Sequence, residues 1–272
     1  MKIVVKADGR VEPFDREKLA RSLIRAGASR SLAESVAARV EAEVPDGAST
    51  EEVLSAALRI LEKVDPALAA LYDLKRAVMR LGPTGFPFER YFAKILEAVG
   101  YRTRLNVVVR GRCVDQEVDV TAERRGVRFM VECKHHDERG VKTDLKVAMY
   151  TYARFLDVRG EYDRPWLATN TALTPTALRY ARCVGMRVTS WLYPPGRWSL
   201  ASLIERTGLL PVTTLRSLRD PTPLIREGLV TLLDLVEEGG RLADLLGERD
   251  SEVVLGEARS VLARLRRSRR RA

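Results

Sequence analysis

Residues 114–120 read VDQEVDV and residues 127–134 read VRFMVECK. Side chains alternate across a strand, so the first stretch sets Val114, Gln116, Val118 and Val120 on one face and Asp115, Glu117 and Asp119 on the other. In the second stretch Val127, Phe129, Val131 and Cys133 alternate with Arg128, Met130, Glu132 and Lys134. Adjacent and antiparallel, the two strands bring their polar faces together. Outward from this pair the pattern continues as a helix over 87–99 and a strand over 101–109 on one side. On the other side come a helix over about 142–157, a strand over 165–169, a helix over 174–184 and a strand over 186–193. Strands mixed with helices in this rhythm predict an α/β unit, a mixed sheet flanked by helices. Pro194-Pro195-Gly196 punctuates its end, and the unit is placed at 86–198.

The flanks have other rhythms. Residues 2–6 (KIVVK) and 11–14 read as a hairpin around Asp8-Gly9. Helical patterns follow, one ending near Gly27, then 32–44, 51–64 with Ser49 or Thr50 as N-cap, and 66–81. Gly82-Pro83-Thr84-Gly85 breaks the chain, so 1–85 is expected to be a hairpin plus helical bundle. Residues 199–263 carry only helical periodicity, and 199–272 is read as a small helical appendage. It ends RLRRSRRRA, six arginines without an acid, which reads as a disordered tail able to touch phosphate or as a plain solvated end. The fold class is α/β within a multi-domain α+β chain.

Composition narrows the chemistry. The 272 residues are 46% hydrophobic and 31% charged, which suits a globular protein with sizeable cores. Lys plus Arg number 47 against 37 acids, a net +10, and the excess is concentrated between residues 86 and 200. Such a balance points to a polyanionic partner, nucleic acid ahead of membrane. No window approaches a membrane span and the opening MKIVVKADGR lacks a signal peptide's apolar core, so a cytoplasmic protein is expected. Cys113, Cys133 and Cys183 are scattered without a CxxC, and the two histidines are His135 and His136. A metal site must then be built from carboxylates, favouring Mg²⁺ or Mn²⁺ over zinc. Gln116 is the sole glutamine and Asn106 and Asn170 the sole asparagines, a scarcity of thermolabile amides that fits a thermophile.

The polar faces suggest what such a metal does. Carboxylates one strand apart give a divalent ion its oxygens, and Lys134, two residues from Glu132, can reach the same substrate phosphate or the attacking water. The chemistry implied is metal-assisted phosphodiester hydrolysis; a solvated sheet face of mixed charge is the competing reading. Asp115 and Glu117 are assigned to the solvent rim or to secondary tuning of the metal. His135 and His136 contact phosphate, move protons or lie at the surface. Cys133 and Cys183 read as small buried residues.

Asp119-x₁₂-Glu132-x-Lys134 resembles the core of the PD-(D/E)xK nucleases, with Val118 in place of the proline. FERYFAKILEAVGY (88–101), EVDV (117–120), VECK (131–134) and TNTALTPTALRYARCVGMRV (169–188) resemble successive blocks of the Mrr-like restriction endonuclease branch. The resemblance implies that Asp119 and Glu132 bind the metal together with the main-chain carbonyl of Cys133. It implies further that Lys134 positions or activates the water and stabilises developing charge, and that Glu89 completes the catalytic set.

Residues 3–19 (IVVKADGRVEPFDREKL), with 48–53 (ASTEEV) and 72–76 (YDLKR), resemble the ATP-cone, a regulatory domain in which a hairpin lid and a helical bundle enclose ATP or dATP. By position, the resemblance places Val5 and Lys6 in the lid, Glu12 and Lys18 at base or phosphate, and Thr50 with Lys75 or Arg76 on the opposite wall. Ala7 stands where the family commonly has a second basic residue, which weakens triphosphate binding unless Arg10 substitutes. No GxxxxGK[ST] is present, so P-loop hydrolysis is not expected.

Together these readings predict a metal-dependent DNA endonuclease regulated by ATP or dATP, the alternative being a catalytically silent, DNA-binding nucleotide sensor. A homodimer fits action on two strands.

Overall fold

The computed structural model describes residues 2–6, 9–82, 84–138 and 140–269. The chain divides into two compact units. One comprises Met1–Arg76, Thr214–Arg219 and Leu235–Ala272, the other Ala77–Thr213 and Asp220–Asp234. The stretch 199–272 is therefore shared between both. No helix among the described residues is long and apolar enough to cross a membrane.

In the first unit, β1 (Ile3–Val5) pairs antiparallel with β2 (Val11–Pro13). The hairpin's Ala7 and Asp8 lie outside the described residues. α1 (Arg16–Arg25) starts where the Asp15 carboxylate accepts from the Lys18 N–H at 2.7 Å, and α2 (Arg30–Glu43) starts at Ser29. These caps satisfy amides that a helix's first turn leaves unpaired. The other end of α2 is closed by Lys2, whose ammonium donates to the carbonyls of Val44 at 2.6 Å and Ala42 at 3.1 Å. β3 (Ala48–Ser49) adds a parallel strand beside β1. Ser49 and Glu52 then form a reciprocal capping box for α3 (Thr50–Val64). Where one helix was expected over 66–81 there are two, α4 (Pro66–Tyr72) and α5 (Leu74–Met79), parted at Asp73, whose carboxylate lies 3.4 Å from Arg76 Nε. Leu23, Val36, Val40, Leu61 and Leu68 fill the core of the bundle. A side chain of this size contributes roughly 1.5–3 kcal/mol when fully buried.

The second unit begins with α6 (Phe86–Ala98), β4 (Arg102–Arg110), β5 (Asp115–Arg124) and β6 (Val127–Lys134). Arg125 and Gly126 turn β5 into β6 with φ of 53° and 77°, the conformation of a two-residue hairpin whose twist matches its strands. β7 (Lys142–Thr143), α7 (Leu145–Asp157), β8 (Arg164–Thr169), β9 (Ala172–Leu173), α8 (Pro175–Cys183) and β10 (Arg187–Thr189) follow. β10 is shorter than the strand expected over 186–193. The main sheet has the order β10-β8-β6-β5-β4, antiparallel from β4 to β6 and parallel from β6 to β10; β7 and β9 pair separately. On one face Phe92 of α6 meets Trp166 edge-on at 5.8 Å, and Phe129 meets the same ring at 5.4 Å. On the other face Ala148 of α7 and Ala177 and Ala181 of α8 pack with Leu167.

The remainder is helical: α9 (Leu200–Thr207), α10 (Thr222–Arg226), α11 (Leu232–Glu237), α12 (Gly239–Leu246) and α13 (Glu248–Arg269). The expected disordered tail is corrected as far as Arg269, because α13 packs on α4 and runs through it. Arg264 anchors that packing, with Nη2 donating to the Gly27 carbonyl at 2.9 Å and Nε 3.0 Å from Asp65. Arg270 and Arg271 lie outside the described residues.

Candidate active site

Register brings the two predicted metal ligands together. Val120 pairs with Val131 across β5 and β6, and just beyond this last pair Asp119 and Glu132 come close enough to raise one another's charge cost. There the ladder gives way to a side chain, the Asp119 carboxylate accepting from the Cys133 N–H at 2.7 Å. On the other side of β5, Leu105 pairs with Val120 and Val107 with Val118, which sets Asn106 opposite Asp119. Asn106 has φ of 47°, a left-handed conformation that asparagine tolerates better than most residues, and its Nδ2 donates to Glu89 at 2.9 Å. Asn106, Asp119 and Glu132 thus form one row across three strands, joined from the first turn of α6 by Glu89. A Cβ at Gly85 would lie 2.8 Å from a Glu89 oxygen, so any larger residue there would push the Glu89 carboxylate aside.

Strict alternation over 114–120 does not hold. Gln116 Nε2 donates to Asp157 at 2.9 Å and Val118 packs with Phe155, both on α7. Yet Thr121, of opposite parity, also reaches this side, its hydroxyl 2.7 Å from that of Tyr162. The pleat therefore slips between Val118 and Thr121, at Asp119. Val114, placed on one face with the buried Val118 and Val120, is exposed, and Asp115 and Glu117 are exposed as well, apart from the half-buried Asp119.

Arg154 was not singled out by the sequence. It projects from α7 with its side chain only 11% exposed, forms an ion pair with Glu132, and donates to the Glu117 carbonyl and, at 3.0 Å, to Gln116 Oε1. Nothing in its local pattern distinguishes it from the other arginines. Gln116 and Asn106 carried a faint signal as two of three side-chain amides in the chain.

Burial dominates the electrostatics. It pushes the Glu132 carboxyl up to about 7, with Asp119 and Glu89 adding to the rise and Arg154 and Lys134 opposing it. Asp119 is also raised by burial, against the pull of the Cys133 amide and Arg154. Glu89 is raised by burial and opposed by its bond from Asn106. The Cys133 thiol is buried and raised far above its ordinary value, so its sulfur is not a thiolate ligand.

Lys134 ends β6 beside Thr169 of β8, with its side chain exposed. Both histidines beyond it are half-buried anchors, each with its pKa lowered chiefly by burial. His135 Nε2 lies 3.0 Å from the Val78 carbonyl and its ring packs on Phe88 at 5.5 Å. His136 exchanges two main-chain bonds with the buried amide of Asn170, at 2.9 and 2.7 Å. Of the other cysteines, Cys183 is exposed where a buried residue was expected.

No three His, Cys, Asp or Glu side chains among the described residues form a metal cage by themselves. Mg²⁺ does not need one: it binds through one or two carboxylates and keeps several waters. Asp119 and Glu132, close together and each raised by burial, fit a hard divalent ion that would relieve their repulsion.

In the other unit a pocket of about 690 Å³ is lined by Lys6, Glu12, Lys18 and Thr50, with Val4 in place of the neighbouring Val5. Glu12 bridges Lys6 at 3.1 Å and Lys18 at 3.7 Å, and the bond from Lys6 is the main cause of its lowered pKa. Arg10 adds its charge to the same carboxylate. Lys75 and Arg76 lie outside the lining. Burial lowers the Lys75 pKa, and Arg76 is held by Glu51 at 2.5 Å and Asp73 at 3.4 Å.

Residues 2–78 match the model of the ATP cone domain, and residues 83–191 that of the Mrr-type catalytic domain described as restriction endonuclease. The chain joins an ATP-cone to an Mrr-type restriction endonuclease domain. An uncharacterized protein of Archaeoglobus fulgidus is 44% identical over 174 residues, spanning 62% of this chain and 99% of its own, so the two belong to one family. The crystal structure of the protein of unknown function AF1548 is 40% identical, covering 66% of this chain and 99% of its own, with a TM-score of 0.60. The acid row lies inside the restriction endonuclease domain and the Lys6–Glu12–Lys18 pocket inside the ATP-cone.

Proposed function

We propose that this chain is a metal-dependent DNA endonuclease whose activity is modulated by ATP or dATP in its ATP-cone. The observation that carries the reading is the Asp119–Glu132 pair, two half-buried carboxylates brought together on neighbouring antiparallel strands with Lys134 two residues on. Asp119, Glu132 and the Cys133 carbonyl would hold Mg²⁺ or Mn²⁺. An ion held there would supply Lewis-acid stabilisation of the phosphate and a more acidic water. Lys134 orients that water and stabilises charge developing on the phosphate. Glu89, aimed by Asn106, completes the catalytic set. In the ATP-cone, Val5 and Lys6 belong to the lid, Glu12 and Lys18 contact base or phosphate, Arg10 offsets the absent second lid base, and Thr50 lies on the opposite wall, with Lys75 or Arg76 joining it from outside the present lining. The protein works as a cytoplasmic homodimer in this reading.

One observation favours a second reading. The Arg154–Glu132 ion pair already neutralises one metal ligand, as a catalytically silent, DNA-binding nucleotide sensor would. Cleavage of supercoiled and linear DNA with Mg²⁺ or Mn²⁺, with and without ATP or dATP, separates the two. Metal-dependent nicking that Asp119→Ala abolishes supports the nuclease, and a nucleotide effect supports the coupling. Equal inertness of both proteins while DNA still binds supports the sensor.

A further inference from the structure

Next to the row of Asn106, Asp119 and Glu132 runs a second row, in which Arg104 of β4 pairs with Thr121 and Thr121 with Met130. The rows are two residues apart, about 7 Å along the strands. On the second row opens a cavity of about 320 Å³, lined by Arg104, Arg110 and Arg128, by the three valines before Arg110, and by Glu161. Thr121 and Tyr162, which also line it, are each 5% exposed and share a 2.7 Å hydrogen bond. Glu161 lies 3.5 Å from Arg128 and answers that one charge. Arg104 and Arg110 are exposed and have no side-chain ion pair or hydrogen bond among the described residues.

We propose that this cavity is a phosphodiester-binding subsite, in which Arg104 and Arg110 grip the backbone of the nucleic acid on one side of the scissile bond. It rests on the nuclease reading for the nature of its ligand. Like charges held about one concavity without ion pairs of their own repel each other, and an anion relieves that repulsion. Guanidinium matches phosphate because its planar fork donates two parallel bonds to it. β4 is an edge strand, and charge on an edge also deters strand pairing. That role explains neither the concavity nor the bias to one sign: Arg102, on the same strand, is answered by Glu123 at 2.7 Å, whereas the two cavity arginines are not. The cross-strand partners of Arg104 and Arg110, Thr121 and Asp115, also lie on either side of Asp119 along β5, so a backbone bound here is led past the acids.

The test is binding of a labelled 30-base-pair duplex to the full chain in EDTA, titrated across KCl concentrations. Each phosphate neutralised contributes about 0.9 to the slope of log K against log salt. For R104A/R110A we expect a slope shallower by about 1.8 and binding weaker by tenfold or more at 0.15 M salt, with R104K/R110K retaining the slope and unchanged melting of both variants. A slope within about 0.3 of wild type overturns the subsite, as does a wild type that does not bind DNA. An unchanged slope together with altered sedimentation overturns it in favour of an interface between copies of the chain. Because no metal is present, absence of cleavage removes the nuclease reading without deciding this result.

Discussion

Arg154 on α7 closes an ion pair on Glu132 of β6, two side chains that are 11% and 16% exposed and 22 residues apart in sequence. The guanidinium is itself fixed by Gln116 and the Glu117 carbonyl, so Glu132 is aimed by a clamp that reaches from α7 to β5. Its charge sits beside the carboxylates that the proposed metal would join.

Removing the clamp leaves Glu132 buried against Asp119 without its counter-charge. Arg154→Ala is expected to destabilise the metal-free protein by roughly 3 kcal/mol at pH 8. Glu132 escapes the penalty by binding a proton, so the loss shrinks towards pH 5.5. Thermal melts of both proteins in EDTA at the two pH values check this, and a loss independent of pH refutes the clamp.

Glu132 titrates at about 7 in the folded chain, above the 4.5 of an ordinary glutamate. A carboxyl raised on folding binds more protons in the native state, so its contribution to stability is fully retained below pH 4.5 and falls as pH rises to about 7. The span corresponds to about 3 kcal/mol at most. Divalent metal must displace the same proton, so Mn²⁺ affinity is expected to rise nearly tenfold per pH unit from 5 to 7 and level off above. Calorimetric titration across that range, in buffers of different ionisation enthalpy, measures both affinity and proton release. A flat affinity profile counts against Glu132 as ligand.

Asp119 has two separable duties. Asp119→Ala removes the acceptor of the Cys133 N–H and is expected to cost about 1–3 kcal/mol as well as all metal-dependent cleavage. Asp119→Asn keeps an acceptor in place while losing the charge. It should melt within a few degrees of wild type and still fail to cleave. If the Asn variant melts as low as the Ala variant, the hydrogen bond has been misassigned.

In the ATP-cone, Lys6 and Lys18 share Glu12 across the pocket. ATP at a hundred times its Kd is expected to stabilise the fold by about 2.7 kcal/mol. Lys6→Ala should weaken ATP about tenfold or more while leaving the unliganded melting temperature in place, because both ion pairs to Glu12 are partly exposed and contribute little to stability. Calorimetric titration of ATP and dATP, alongside melts, distinguishes this from a pocket that binds no nucleotide.

Much of this was legible locally. The hairpin and helices of residues 2–64, the α6–β4–β5–β6 order, and the nearness of Asp119 and Glu132 on neighbouring strands follow from period, caps and turn residues, which act over a few positions. Antiparallel pairing of neighbouring strands then required one short turn, Arg125-Gly126. What tertiary structure alone decided acts over distance. The pleat slips at Asp119 because Gln116 and Val118 pack on α7 while Thr121 reaches Tyr162, a competition no alternating pattern records. Arg154 comes within reach of Glu132 only through a helix crossing the sheet. Residues 264–269 are helical because α13 lies on α4, some two hundred residues earlier, where Asp65 holds Arg264. Sequence by itself determined which groups carry the charge, since strand period and short turns are properties of neighbouring residues. Tertiary structure decided their partners, because a buried charge must be answered by whatever the fold brings beside it.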